Sequence, residues 1–325
     1  MTGGPRILVI KLGALGDVVQ SFGPLAAIRR HHPDAAITVL TTRPYAALYE
    51  ACPDVDAVWI DRRPRAHQVG GWLDLRRRLR GGGFFRVYDL QTSDRSSGYF
   101  RLMRGLCPWG RRSVEWSGIA AGCSHPHANP DRDRMHTVER QAEQLRMAGI
   151  ADAPPSDLSW LAAEVSGLAP AGRFVLLAPG GAAHRPGKRW PAERYGELAR
   201  RLLDAGVTPV LLGTRAEERE IAAVTAAAPG AVSLIGRTGF AEIASLGRAA
   251  AAAVGNDTGP MHLLAAVGCP CVVLYAKDSD PALCAQRGPK VRILRREALS
   301  ALAAEEVWAE LAELAESADL PDHDG

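Results

Sequence analysis

The sequence predicts an α/β protein made of two doubly wound, Rossmann-like domains facing across a cleft. Three observations lead there. The chain has 325 residues, more than one ordinary hydrophobic core holds, and suits two domains of about 150 residues each. Short apolar strands alternate with helical patterns, which builds a mostly parallel sheet with covering helices. The alternation restarts once, after a stretch rich in Ala, Pro, Ser and Gly between Ile150 and Gly172. That composition marks a linker.

The composition, 47% hydrophobic and 23% charged, is that of a soluble globular protein and excludes disordered, collagen-like and disulfide-scaffold chains. No run reaches the roughly 18 uncharged apolar residues of a membrane span. Ile7–Ile10 is too short for the core of a signal peptide, so the expected location is the cytoplasm.

In the first domain, residues 1–160, Arg6–Ile10 is an apolar strand followed by a glycine turn over Gly13–Asp17. Val18–Arg30 is predicted as one helix, with Val18, Val19, Phe22, Leu25, Ala26 and Ile28 inward at helical spacing. Ala36–Thr41 and Ala57–Ile60 are strands around a helix at Pro44–Cys52. Trp72–Arg80 is a basic amphipathic helix and Arg86–Leu90 a further strand.

The second domain, residues 173–300, opens with a strand at Phe174–Ala178. A helix follows at Pro191–Gly206, begun by proline and closed by glycine. Strands at Thr208–Leu212, Val232–Leu234, Ala251–Gly255 and Cys271–Tyr275 alternate with helices at Ala216–Ala227, Phe240–Ala249 and Pro260–Val267. Residues 301–325 hold a last helix, Glu305–Ala315, with Val307, Trp308, Leu311 and Leu314 on one face.

Three strand-to-helix turns carry chemistry. Gly13-Ala14-Leu15-Gly16-Asp17 falls at the carboxyl end of a strand, where open α/β sheets bind ligands. Glycines let a ligand approach the backbone, and a helix start offers free N–H groups. Asp17 there is either a helix cap or a carboxylate at work in the cleft. Ala178 to Pro191 is a glycine-rich loop carrying Arg185 and Lys188. It either holds a diphosphate or is a solvated basic loop. Gly255 to His262 sets Asp257 and Thr258 before a helix begun by Pro260. This is either a sugar-phosphate contact or a cap beside a buried His262. All three turns occupy corresponding edges of two similar domains.

Charge is segregated. Between Ile60 and Arg112 there are thirteen arginines, no lysine and four aspartates, a basic zone suited to phosphate, nucleic acid or an anionic membrane. The segment lacks the interleaved aromatics of a single-strand platform and any helix-turn-helix or zinc spacing, so nucleic acid is not an expected partner. Trp72–Arg80 is open to two readings, a helix on an anionic membrane surface or a solvated helix packed on the sheet. The six cysteines, Cys52, Cys107, Cys123, Cys269, Cys271 and Cys284, show no metal spacing and read as reduced thiols. None of the D-x-D pairs follows a strand in the manner of a metal–diphosphate motif, so no metal is expected.

The motifs Ile7–Asp17 (ILVIKLGALGD), Arg62-Arg63-Pro64-Arg65, Tyr88-Asp89-Leu90-Gln91, Gly187–Pro191 (GKRWP) and Asp257–His262 (DTGPMH) together resemble glycosyltransferase family 9, the ADP-heptose:lipopolysaccharide heptosyltransferases. The resemblance runs from residue 6 to about residue 280. It implies a GT-B fold with the acceptor in the first domain, the nucleotide sugar in the second, and a C-terminal helix packing back on the first. It implies inverting, metal-independent transfer with no cofactor beyond the donor, ADP-heptose, to a lipid-linked or other anionic sugar acceptor. Peripheral contact with the inner face of the membrane goes with such an acceptor.

By position, Asp17 matches the general base and Lys188 the lysine that neutralises the departing diphosphate. Gly180, Gly181, Arg185, Glu217, Thr238, Asp257, Thr258, Gly259 and His262 fall on the donor side. Gly13, Gly16, Arg62, Arg63, Arg65, Gln91 and His136 fall on the acceptor side. The chain departs from the family in having Gly180-Gly181-Ala182-Ala183 where Thr and Ser are common, and a threonine, Thr238, at the adenine contact. A glycosyltransferase of the same fold with another nucleotide sugar, or with a small-molecule or protein acceptor, is the alternative.

Overall fold

The computed structural model describes residues 4–104, 114–181 and 185–316. Ala182, Ala183 and His184 of the glycine-rich loop, Cys107, Arg111 and Arg112, and residues 317–325 lie outside them. The chain divides into two compact units, Met1–Trp160 and Leu161–Gly325, and the division falls inside the expected linker.

The first unit runs β1 (Arg6–Ile10), α1 (Leu15–Val19), α2 (Phe22–His31), β2 (Ala36–Thr41), α3 (Ala46–Glu50), β3 (Ala57–Ile60), α4 (Val69–Gly81), β4 (Arg86–Asp89), α5 (Asp94–Arg104), β5 (Glu115–Gly118), β6 (His125–Pro126) and α6 (Thr137–Met147). Its six strands are all parallel, in the order β3-β2-β1-β4-β5-β6. Ile7 to Ile10 are fully covered, as a central parallel strand with helices on both faces requires. Ile10 pairs with Leu40 on one side and Asp89 on the other, so Lys11 leaves the sheet level with the end of β4.

The single helix expected over Val18–Arg30 is two. Pro24 lies in the first turn of α2 and has no N–H to continue the α1 ladder. At the break, Ser21 Oγ donates to Val18 O at 2.7 Å and meets the Tyr49 hydroxyl at 3.0 Å.

The second unit runs β7 (Phe174–Ala178), α7 (Ala192–Asp204), β8 (Thr208–Leu211), α8 (Glu218–Ala227), β9 (Val232–Ser233), α9 (Phe240–Ala249), β10 (Ala252–Asn256), α10 (Gly259–Ala266), β11 (Cys271–Tyr275), α11 (Pro281–Cys284), β12 (Val291–Arg295) and α12 (Ala304–Glu316). Its order is β12-β11-β10-β7-β8-β9, again all parallel. Renumbered from its own first strand, this repeats the order of the first unit, the doubly wound arrangement.

Val307, Leu311 and Leu314 of α12 are buried in one core with Trp190, Leu198 and Leu202. The apolar stripe that a surface helix must cover is satisfied within the second unit. No helix among the described residues is long and apolar enough to cross a membrane.

Candidate active site

In each sheet the strand order reverses between the first and fourth strands, and ligands of open α/β sheets bind beside the carboxyl ends at such a reversal. In the first unit, Gly13, Gly16, Asp17 and Gln91 stand there. Gly13 has φ +127°, and a Cβ on it would lie 2.5 Å from the Tyr45 ring, so the turn requires glycine. Gln91 Oε1 accepts a hydrogen bond from Leu12 N at 2.8 Å, which ties the exits of β1 and β4 together.

Asp17 is not the helix cap. Ala14 occupies the cap position, without a side-chain bond, and the Asp17 side chain is 40% exposed. Lys11, almost wholly buried, places Nζ 4.0 Å from Asp17 Oδ1 and donates to Leu90 O at 3.1 Å. Burial pushes the Lys11 pKa down; Asp17 and Asp89 oppose this, while Arg140 adds to it. Asp89 has no exposed surface. Burial pushes its carboxyl up to about 6, against hydrogen bonds from Ser96, Thr92 and Gln91 and the charge of Lys11. Its Oδ2 has no hydrogen-bond partner among the described residues.

Arg62, Arg63 and Arg65 have exposed side chains on a fixed backbone. Arg63 N donates to Asp61 Oδ1 at 2.8 Å and Arg65 N to Gln68 Oε1 at 2.7 Å. Arg63 is left-handed at φ 49°, unusual for a residue with a Cβ. Tyr45 links it to the turn: burial raises the phenol's pKa, the Arg63 charge lowers it and the Asp17 charge raises it. His136 is buried and caps α6, its Nδ1 accepting from Val138 N at 3.2 Å.

In the second unit, Lys188 and Asp257 meet at the reversal. Lys188 Nζ donates to Asp257 Oδ2 at 3.1 Å and also bonds Ser279 Oγ. Ser279 Oγ donates to the same carboxylate oxygen. Gln286 Nε2 donates to Asp257 Oδ1 at 3.2 Å and is itself set by the Tyr275 hydroxyl at 2.8 Å. Burial works to raise the Asp257 pKa. Hydrogen bonds from Ser279 and Lys188, with the charges of Lys188 and His262, outweigh it and hold the carboxyl below its ordinary value.

Thr258 stands at the cap position of α10 without capping it, and its buried Oγ1 has no hydrogen-bond partner among the described residues. It adjoins the glycine loop, since a Cβ on Gly181 would lie 3.8 Å from Thr258 Cγ2. Gly259 opens α10, and His262 is buried within it. Gly180 packs on Glu217, where a Cβ would come within 2.9 Å of Cγ. Glu217 Oε2 closes a capping box with Thr214. Arg185 is exposed, and Thr238 is half-buried in the turn before α9, outside these bonds.

Residues without an assigned role in the sequence hold both sites in shape. Lys11 and Asp89 are charges inside apolar strand ends, a visible signal. Asn256, fully buried, accepts from Trp190 N at 2.9 Å and donates to Pro179 O and Gly180 O, each at 2.9 Å. Ser279, Gln286 and Tyr275 gave no signal in the sequence, because only the fold brings them to Asp257. Among the described residues no three His, Cys, Asp or Glu side chains gather as a metal-binding group.

Comparison with known proteins agrees with this geometry. Residues 72–308 match the family model of glycosyltransferase family 9 (heptosyltransferase). Lipopolysaccharide heptosyltransferase 2 of Escherichia coli K12 is 28% identical over 312 residues, covering 89% of this chain and 88% of that protein. The glycosyl transferase family 9 structure from Veillonella parvula superposes with a TM-score of 0.81 at 21% identity, over 96% of this chain and 97% of that one. The E. coli heptosyltransferase WaaC, solved with ADP, superposes at 0.73 and 21% identity, over 95% and 99%. Two parallel six-stranded sheets with these neighbours are the GT-B fold, and the chain belongs to glycosyltransferase family 9 and is a glycosyltransferase.

Proposed function

We propose that the protein transfers heptose from ADP-heptose to an anionic sugar acceptor of the lipopolysaccharide inner core, with inversion and without a metal ion. One observation carries the donor side. Lys188, fixed on Asp257 and Ser279, stands beside the start of α10 and the Thr258 hydroxyl, which has no partner among the described residues, a cation and donors where a diphosphate binds. The curated relatives named for lipopolysaccharide heptosyl transfer and a relative solved with ADP support the choice of sugar and nucleotide.

In this reading the acceptor hydroxyl gives its proton to Asp17 as its oxygen bonds the anomeric carbon. The bond from that carbon to the diphosphate oxygen breaks, and ADP leaves with the electron pair from the opposite face. The configuration therefore inverts. Lys188 and the N–H groups at the start of α10 meet the charge that accumulates on the diphosphate. Arg62, Arg63 and Arg65 hold the anionic acceptor.

The outward face of α4, with Val69 64% and Leu73 51% exposed beside exposed Arg77 and Arg80, supports peripheral contact with an anionic bilayer. Co-sedimentation with anionic vesicles, lost in Leu73→Asp, tests it.

Calorimetric titration with ADP, UDP and GDP tests the donor. ADP should bind selectively, and Lys188→Ala should weaken it by about tenfold or more, the loss of a charge-assisted contact. Selective binding of UDP or GDP would assign another sugar.

A further inference from the structure

The glycine-rich turn after β7 is tied down twice. The inner tie is Asn256, fully buried, whose Nδ2 donates to Pro179 O and Gly180 O and whose Oδ1 accepts from Trp190 N. The outer tie is Arg189. Its Nη2 donates to Gly181 O at 2.6 Å, and its Nη1 donates to Glu220 Oε1 at 2.5 Å. Glu220 stands in the first turn of α8, where the helix dipole favours a carboxylate.

Three successive carbonyls are therefore occupied by fixed donors. In a trans peptide the next N–H points opposite to the carbonyl, so the Gly180 and Gly181 N–H groups face away from Asn256. Arg189 settles the last of the three carbonyls. A Cβ on Gly181 would lie 3.2 Å from Arg189 Cγ and 3.8 Å from Thr258 Cγ2, so the turn is packed between these two side chains. The Arg189 side chain reaches eight positions back along the chain, while its backbone joins Lys188 to Trp190. One residue thus ties the glycine turn to the segment that carries Lys188.

Arg189 supplies position rather than charge. Its guanidinium faces the Glu220 carboxylate, with the two side chains 19% and 29% exposed, whereas Lys188 is held separately by Asp257 and Ser279. The task needs a planar fork, one nitrogen for the carboxylate and another for the carbonyl, which a lysine ammonium does not reproduce.

We propose that Arg189, anchored by Glu220, is a positioning residue for the diphosphate of the donor. It keeps Gly181 and the Lys188 segment in one arrangement, so that a diphosphate meets amides and an ammonium already in place instead of ordering them as it binds. The proposal rests on reading this turn as the diphosphate site.

The test is calorimetric titration of the whole protein with ADP, in a cycle of Arg189→Gln, Glu220→Ala and the double variant. Arg189→Gln should weaken ADP about tenfold with the binding stoichiometry unchanged, whereas a loss of folded protein would lower the stoichiometry. Glu220→Ala should cost less. The double variant should bind as Arg189→Gln does, because Glu220 acts only through Arg189. Arg189→Lys, which keeps the charge without the fork, should lose nearly as much as Arg189→Gln. Unchanged affinity in Arg189→Gln, additive losses in the double variant, or full affinity in Arg189→Lys overturns the proposal. Lys188→Ala keeps the two readings apart. If it leaves ADP binding intact, the diphosphate reading fails; if it weakens ADP while Arg189→Gln does not, only the role of Arg189 fails.

Discussion

At the reversal of the first sheet, burial outweighs the neighbours: Asp89 is pushed up to about 6 and Lys11 is pushed down. At the reversal of the second sheet the neighbours outweigh burial, and Lys188 and Ser279 hold Asp257 below its ordinary value. The strand order is the same in both; the difference lies in who donates to the carboxylate. Asp89 receives mainly backbone N–H groups and a hydroxyl, whereas Asp257 receives an ammonium. The first arrangement lets Asp89 change protonation near neutral pH. The second keeps Asp257 ionised.

The largest effect expected from breaking this contrast is on turnover. Asp17→Asn should lower transfer by 10²–10⁴-fold, roughly the contribution of a general base, with ADP affinity unchanged by calorimetry. Retained turnover would remove Asp17 as the base.

Next comes the amide that crosses each reversal. Asn256→Ala strands two carbonyls and the Trp190 N–H and should cost about 3 kcal/mol in denaturant unfolding. Asp89→Asn should stabilise the protein at pH 7.5 by at most about 3 kcal/mol, two pKa units at 1.36 kcal/mol each. A carboxyl raised in the folded state contributes stability that is lost as pH rises through about 6. The gap between variant and parent should therefore close as the pH falls to about 4. A gap independent of pH would show that Asp89 does not titrate there.

Gln91→Ala should have the smallest effect, about 1 kcal/mol, since this half-buried amide makes one bond to Leu12 N. A cost equal to that of Asn256→Ala would mean the two reversals are stitched alike.

What was legible in the sequence was what apolar periodicity marks. The central strands and α7, α9 and α10 fall within a residue or two of expectation. The unmarked elements bury polar side chains. Inward residues of α6 include Thr137, Gln141 and Gln144, and α5 buries Ser96 and Ser97, so neither shows a hydrophobic stripe. β6 has two residues and is defined only by its partner. In the site, the glycine turns, Asp17, Lys188 and Asp257 were marked by position after strands. Tyr45, Ser279 and Gln286 were not, because their proximity arises only from folding.

Trp190 Nε1 donates to Leu302 O at 3.0 Å, just ahead of α12 and two residues after Lys188. The segment leading into α12 thus anchors the chain two residues from Lys188. Trp190→Phe, which removes this bond but keeps an aromatic ring in the core, should look, in a binding assay, like damage to nucleotide recognition, although its side chain is not among the proposed donor contacts.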